Sequence, residues 1–214
     1  MVKDPYSFHA PFYDRLYEPA AHRLRTIGLT LHPPRDNLSV LDVGCGTGTQ
    51  LALYQRPGCS LTGLDLSPAM LAVARRKLGA AAELHLGDAS HMPYPEALFD
   101  LVTIVLVLHE MPPLLRSAVL QECRRVVKPG GRIMLMDYHF GPHPLPRGWL
   151  WKMVVTAMEL SAGRRHFANY RDFIARRGLE GLISRQQLTV ERKWIAESGV
   201  AAVYVVKTVS GLES

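Results

Sequence analysis

The chain has 214 residues, of which 48% are hydrophobic and 21% are charged, and its formal net charge is +6. This composition is typical of a globular protein, and the length suits one domain with a full hydrophobic core. No stretch of about 18 apolar residues occurs, which argues against a membrane-spanning helix. Residues 1–5 are polar and no apolar segment follows them, so we expect no signal peptide.

The three cysteines also constrain the class of protein. Cys45, Cys59 and Cys123 are odd in number and widely separated. They form no CxxC or Cys/His spacing, which argues against a disulfide framework and against a zinc site. A reducing cytoplasm is therefore the expected compartment, and we interpret Cys45 as a packing residue.

Along the chain, an aromatic segment comes first and is followed by alternating helices and strands. Five aromatic residues lie within the first 17: Tyr6, Phe8, Phe12, Tyr13 and Tyr17. Helices are predicted at 18–30, 47–56, 68–78 and 113–127, and strands at 38–43, 60–64, 82–86, 99–106 and 131–137. The proline-rich stretch 141–146 then introduces an inserted segment at about 147–165 and a short helix at 169–177. Two further strands are predicted at 187–195 and 200–208. This alternation predicts an α/β fold with a doubly wound, mostly parallel sheet.

The first predicted strand ends in a glycine-rich turn. Asp42 is followed by Gly44, Gly46 and Gly48, and a predicted helix begins directly afterwards. Glycine permits a sharp turn and close approach of a ligand to the backbone, and a strand, turn and helix in this order form nucleotide sites. The spacing is Gly-x-Gly-x-Gly, which differs from the Gly-x-Gly-x-x-Gly of dinucleotide sites. An acid before the glycines would repel a phosphate and suits a cationic ligand.

Two more acids follow the next two predicted strands. Asp65 ends the second strand, where a carboxylate can accept hydrogen bonds from both ribose hydroxyls. Asp88 follows the third strand in a Gly-Asp pair, a position that suits the exocyclic amine of an adenine. The segment 128–131, Lys-Pro-Gly-Gly, turns into the fifth strand. Each acid alone could be a helix cap, but the four elements together favour a nucleoside site.

These motifs resemble the class I S-adenosylmethionine-dependent methyltransferases over about residues 36–138. The segment 65–71, Asp-Leu-Ser-Pro-Ala-Met-Leu, is similar to the small ubiquinone/menaquinone-biosynthesis type. The resemblance implies a seven-stranded Rossmann-like sheet with an antiparallel edge hairpin, and S-adenosylmethionine as cofactor. It divides the chain into an N-terminal lid (1–35), a cofactor-binding core (36–140), a substrate-cover segment (141–178) and edge strands (179–214). The implied cofactor-binding residues are Asp42, Gly44, Cys45, Gly46, Thr47, Gly48, Asp65, Leu66, Met70, Asp88, Ala89 and Val105.

Two side chains at strand ends are candidates for catalysis. His109 follows the fourth strand and could take a proton from a phenol, an enol or an ammonium, or else cap a helix or pack against substrate. Asp137 ends the fifth strand and could orient an amine or a base, or be structural. Glu110 is interpreted as an acid at a helix N-terminus. The Asn/Asp-Pro-Pro-Tyr motif of amide methyltransferases is missing, and no metal-ligand spacing is present, so no metal is expected.

We expect segments outside the cofactor-binding core to line the acceptor pocket. The N-terminal arm would cover the cofactor or would simply be core packing. The apolar segment 147–160 would cover a substrate, pack in a dimer or contact a membrane surface. The predicted substrate contacts are Tyr6, Phe12, Tyr13, His109, His139, Trp149, His166 and Tyr170.

The function predicted from the sequence is methyl transfer to a small, moderately apolar acceptor. Quinone precursors, phenols, lipid amines and natural products all fit this description. The basic stretch 164–193, with eight Arg or Lys against three acids, leaves an RNA methyltransferase as an alternative. A non-catalytic S-adenosylmethionine-binding module is the other alternative. The expected partner is the small acceptor, with a lipid surface as one of the three interpretations of segment 147–160. Nucleic acid is not expected, and the chain would be a monomer or a homodimer.

Overall fold

The structure is a computed structural model that describes residues 4, 6–7 and 10–208, without the side chains of residues 11, 16, 17, 19 and 20. Phe8, the side chain of Tyr17 and the last six residues of the predicted edge segment therefore lie outside the described part.

One seven-stranded sheet organises the chain. Its strand order is β3-β2-β1-β4-β5-β7-β6, with β1 to β5 parallel and β7 antiparallel to both β5 and β6. The strands are β1 (Ser39–Val43), β2 (Ser60–Asp65), β3 (Glu83–Leu86), β4 (Phe99–Val105), β5 (Val127–Tyr138), β6 (Thr189–Ile195) and β7 (Ala201–Lys207). The order reverses between β1 and β4, so the loops after these strands meet at the switch point where α/β sheets bind ligands. The expected doubly wound sheet with its edge hairpin is confirmed.

Helices cover both faces of this sheet. They are α1 (Tyr13–Leu31), α2 (Thr49–Leu53), α3 (Pro68–Leu78), α4 (Pro113–Val126), α5 (Arg147–Ser161), α6 (Arg164–Ala175) and α7 (Gly178–Arg185). The start of α3 shows how the sequence sets an element: the Ser67 hydroxyl accepts the Met70 N–H at 3.1 Å, and Pro68 occupies the first helical position. None of the described helices is both long and apolar enough to cross a bilayer.

Two hydrophobic clusters lie on opposite sides of the sheet. One joins β4 and β5 to α4, α6 and α7 through residues such as Leu120 and Phe173. The other joins β1 and β2 to α1, α2 and α3 through residues such as Leu51 and Leu71. Strand β4 lies between the two clusters, which explains why 101–105 is apolar at nearly every position.

Several element boundaries differ from the sequence-based prediction. Helix α2 ends at Leu53 instead of residue 56, because Pro57 disfavours a helical conformation at the residue before it. Strand β5 begins at Val127, since Val127 pairs with Phe99 ahead of the Pro-Gly-Gly turn. Gly178, the residue directly after the predicted 169–177 helix, begins α7. The left-handed conformations of Arg177 and Gly178 turn the chain, and a new helix follows.

Candidate functional site

The three glycines after β1 all adopt left-handed conformations, with φ of 68°, 53° and 77° at Gly44, Gly46 and Gly48. A Cβ at Gly44 would come within 2.7 Å of Val107, and one at Gly48 would come within 2.7 Å of Leu78. Among the described residues, a Cβ at Gly46 would meet no atom within 4 Å. Packing therefore requires the outer two glycines, whereas the middle one opens onto free space where a ligand can approach the backbone.

Asp65 connects this glycine loop to the start of α3. Its Oδ2 accepts the Gly46 N–H at 2.8 Å, and its Oδ1 accepts the Ser67 N–H at 2.8 Å. Burial raises the pKa of this carboxyl, although the two backbone donors oppose the shift. Next to it, Leu66 is exposed and Met70 is buried. The acid thus lies at the tip of β2, beside the open side of the glycine loop.

Asp42 is enclosed by the sheet. It is 2% exposed, and its Oδ1 accepts the Thr103 hydroxyl at 2.6 Å. Burial raises the pKa of Asp42 to about 6, and the Thr103 hydrogen bond only partly offsets this. A buried carboxylate of this kind favours a nearby positive charge.

The remaining predicted cofactor residues occupy the same edge of the sheet or pack beneath it. Asp88 is exposed and accepts both the N–H and the hydroxyl of Ser90 at 2.8 Å, which lowers its pKa. Thr47 donates to Asp14 at 2.5 Å. Cys45 and Val105 are buried, Ala89 is half-buried, and burial raises the pKa of the Cys45 thiol, as expected of a packing residue.

The N-terminal segment contacts both the glycine loop and the loop after β4. Asp4 accepts the Ser67 hydroxyl at 2.8 Å and the Ala69 N–H at 3.2 Å. The Tyr6 hydroxyl donates to Glu110 at 2.7 Å, and the Tyr6 ring contacts Tyr13 edge-on at 6.3 Å. Asp4 and Tyr6 therefore contact the nucleoside end and the β4 end of the site, respectively.

His109 and Asp137 form a buried pair at the ends of β4 and β5. The Nδ1–H of His109 donates to Asp137 Oδ1 at 2.7 Å, and the His109 backbone N–H lies 3.2 Å from Oδ2. Burial alone would lower the pKa of His109, but the Asp137 carboxylate, aided by Glu110 and Glu159, raises it to about 9. A protonated imidazole cannot take a proton, so this raised pKa favours a role for His109 other than that of a base.

Glu159 of α5 extends this pair toward α6. Its Oε2 lies 3.5 Å from His109 Nε2 and accepts the His166 Nε2–H at 2.5 Å. Its Oε1 accepts the Tyr138 hydroxyl at 2.7 Å. The His166 hydrogen bond, assisted by His109 and Tyr138, lowers the pKa of Glu159 against the effect of burial. Rings of Tyr138 and Tyr170 contact His109, with centroids 4.6 and 6.4 Å away.

Of the predicted substrate contacts, the structure brings His109, His166 and Tyr170 together. Tyr6 reaches the same region through Glu110, and Tyr13 lies against Tyr6. His139, Trp149 and Phe12 make their contacts elsewhere. His139 accepts the Gly141 N–H at 3.1 Å, Trp149 is half-exposed beside Lys152, and Phe12 is 59% exposed.

Sequence reasoning missed Glu159 and Tyr138. Glu159 is the only acid within the apolar 147–160 segment, and a single acid in such a helix is a signal of a buried polar role. Glu110 was interpreted as an acid at a helix N-terminus. In the structure it lies in a short 3₁₀ helix (Leu108–Glu110), accepts the Tyr6 hydroxyl, and has a pKa raised by burial.

Comparison with known proteins agrees with this geometry. A family profile described as a methyltransferase domain matches residues 41–135, which include the glycine loop, Asp65, Asp88 and His109. A demethylmenaquinone methyltransferase of Shouchella clausii is 44% identical over 106 residues, which are 46% of this chain and 44% of that protein. Residues 41–135 therefore match a methyltransferase domain, and the chain is similar to S-adenosylmethionine-dependent methyltransferases.

Solved structures of methyltransferases have a similar fold over nearly the whole length of this chain. A putative methyltransferase in complex with the Trm112 methyltransferase activator of Haloferax volcanii has a TM-score of 0.70 at 18% identity, covering 97% of this chain and all of that one. A SAM-dependent methyltransferase of Aquifex aeolicus has a TM-score of 0.61 at 16% identity, covering 92% and 97%. At these identities the likeness concerns the fold. The chain spans 44% to 62% of the length of the first curated relatives it matches.

S-Adenosylmethionine is the cofactor of this methyltransferase family, and the residues present fit it. The open face at Gly46 leaves room for a ligand against the backbone. Asp65 and Asp88 offer carboxylate acceptors at the tips of adjacent strands, and Asp42 supplies buried negative charge for a cation.

Proposed function

We propose that this protein transfers the methyl group of S-adenosylmethionine to a small, moderately apolar acceptor, such as a quinone precursor, phenol, lipid amine or natural product. The observation that carries the proposal is the buried His109–Asp137 pair. It lies among aromatic rings, and Tyr6 and Asp4 contact the β4 end and the cofactor end next to it. The whole chain is proposed to act as one enzyme, with the arm 1–35 as lid and 141–178 as substrate cover.

At the cofactor end, the residues of the protein would hold the cofactor in position relative to the acceptor. The bound cofactor supplies a methyl group on a positively charged sulfur. The Asp65 carboxylate would accept the ribose hydroxyls, Asp88 the adenine amine, and Asp42 would favour the positive charge. Holding the two reactants in line can contribute roughly 7–11 kcal/mol of a reaction barrier.

At the acceptor end, His109 would act as a fixed positive charge. With a pKa of about 9 it is protonated at neutral pH, so it stabilises an acceptor oxygen that has lost its proton. Asp137 holds the ring orientation through the Nδ1 hydrogen bond. An acceptor with an ionisable hydroxyl therefore fits this pocket better than an amide does.

The names of the relatives support a quinone-type acceptor. The Shouchella clausii protein and a Cupriavidus pinatubonensis protein, 35% identical over 121 residues, are named for menaquinone or ubiquinone/menaquinone biosynthesis. Both names concern apolar ring acceptors, which match the tyrosine rings around His109.

We also propose that the exposed face of α5 contacts a lipid surface. Trp149, Leu150, Trp151 and Met153 are each at least half exposed, whereas large apolar side chains usually lie inside. Arg147 and Lys152 on the same helix would complement anionic headgroups. Such contact would bring the pocket close to a membrane-dissolved acceptor.

Calorimetric titration with S-adenosylmethionine and with its demethylated product tests the proposal. The unmodified protein is expected to bind both, and Asp65→Ala is expected to abolish binding because it removes the ribose acceptor. Asp36→Ala is the matched control, because Asp36 is an exposed acid in the turn before β1, at the opposite end of that strand from the glycine loop. No heat with either compound would contradict the proposal, as would equal binding by Asp65→Ala.

A further inference from the structure

Three possible metal-ligand atoms meet beside the buried His109–Asp137 pair. One atom each from His109, Glu159 and His166 lies within 4.8 Å of the other two. His109 and Glu159 are buried, and His166 is half-buried. Two imidazole nitrogens and one carboxylate oxygen are the protein ligands of several catalytic zinc sites and of mononuclear iron sites.

The three ligand atoms lie within 4.8 Å of one another, which approaches the spacing around a tetrahedral ion. Ligand bonds of zinc are about 2.0–2.2 Å long, which sets neighbouring ligand atoms about 3.3 Å apart. Glu159 Oε2 lies 3.5 Å from His109 Nε2 and 2.5 Å from His166 Nε2. The first distance is already close to the ideal value. The second is a hydrogen bond that would lengthen as an ion replaced the shared proton.

A supporting layer of hydrogen bonds fixes the orientation of these ligands. Asp137 accepts the Nδ1–H of His109 at 2.7 Å, which turns Nε2 toward Glu159, and Nε2 would release its proton on binding an ion. Tyr138 donates to Glu159 Oε1 at 2.7 Å, which leaves Oε2 for an ion. In protein metal sites, a ligating histidine usually donates its other ring N–H to a carboxylate or carbonyl, and a ligating carboxylate is itself hydrogen-bonded.

We propose that His109, Glu159 and His166 bind one divalent transition-metal ion, with Zn²⁺ as the ion that best matches these ligands. The role of this ion rests on the proposed function. Bound there, it would take over the positive charge that His109 otherwise supplies and polarise the acceptor oxygen as a Lewis acid. The sequence did not indicate this site, because its ligands come from the 3₁₀ helix after β4, from α5 and from α6.

Metal content and titration test the site without requiring turnover. The full chain would be stripped with a chelator, dialysed against Zn²⁺, and assayed for bound zinc by mass spectrometry. Titration with Zn²⁺ alone would give the affinity, and Co²⁺ would report ligand geometry through its visible absorption. We expect one zinc per chain and a Co²⁺ spectrum of low coordination number, with no comparable binding of Mg²⁺, which prefers oxygen ligands.

Variants separate a metal site from incidental binding. Glu159→Gln and His166→Gln should each lower zinc affinity at least about tenfold, and Asp137→Asn, which removes the carboxylate charge behind His109, about 10–100-fold. His22→Gln is the matched control, because His22 is exposed on α1. Circular dichroism would verify that each variant is folded.

Two results would overturn the inference. One is a stoichiometry near zero for the folded, stripped protein. The other is equal loss of zinc in His22→Gln and His166→Gln. Cofactor binding measured on the same samples keeps the two proposals apart. Intact cofactor binding without zinc binding refutes only the metal site, and zinc binding without cofactor binding refutes only the methyltransferase proposal.

Discussion

Replacing Asp42 with asparagine should stabilise the protein in the absence of cofactor. Asp42 is 2% exposed, and burial raises its pKa from 3.8 to about 6. A shift of about two pKa units corresponds to about 3 kcal/mol, which is the cost of keeping this carboxylate ionised in the folded protein at pH 7.5. Asparagine removes the charge, and its side-chain oxygen can still accept the Thr103 hydroxyl.

The sign of the pH dependence follows from the raised pKa. Between about pH 4 and pH 6 the folded protein holds a proton on Asp42 that the unfolded chain has lost. The free energy of unfolding therefore falls as pH rises through that window. The advantage of Asp42→Asn should therefore be largest above pH 7 and small near pH 4.5.

Urea denaturation of both proteins at pH 7.5 and pH 4.5 measures this difference directly. We expect the asparagine variant to be more stable by about 2–3 kcal/mol at the higher pH. The same variant should bind S-adenosylmethionine more weakly, because it lacks the negative charge that favours a cation. Destabilisation at pH 7.5, or a difference independent of pH, would refute the reasoning.

Three further predictions test the glycine loop, the core and the lipid-facing helix. Gly46→Ala should fold but bind the cofactor at least about tenfold more weakly, a loss of about 1.4 kcal/mol. Gly79→Ala, at a glycine that also has a positive φ and where a Cβ would meet no described atom within 4 Å, should leave binding unchanged in the same titration. Arg116→Ala should cost about 3 kcal/mol in urea denaturation. It removes a buried guanidinium that bonds Leu108 O, Asn169 O and Asp172, and normal stability would contradict this. The double change Trp149→Ser and Trp151→Ser should abolish sedimentation with phosphatidylglycerol vesicles. Leu114→Ser, which alters an exposed leucine on α4, should not.

The cofactor end could be predicted because its determinants are local in sequence. A strand, three glycines and an acid at the tip of the next strand specify backbone conformations and a position at the sheet edge. The left-handed φ values of Gly44, Gly46 and Gly48 and the Gly46–Asp65 hydrogen bond agree with that prediction.

The acceptor end depends on contacts between distant segments, and sequence spacing could not specify them. Glu159 reaches His109 only because α5 and α6 fold back over the end of β4. The contacts of Asp4 and Asp14 with Ser67 and Thr47 likewise join residues at least 33 apart. Patterns of hydrophobicity predict which face of a helix is buried, but not which buried polar groups on separate helices become partners.

The most direct test of the central claim is transfer of an isotopically labelled methyl group. The protein would be incubated with S-adenosylmethionine carrying a deuterated methyl and with a lipid and metabolite extract, followed by mass spectrometry. The account predicts an apolar acceptor that gains one labelled methyl group with the unmodified protein and with Asp36→Ala, but not with Asp65→Ala. Labelling that is the same with Asp65→Ala, or no labelled product from any acceptor, would contradict it.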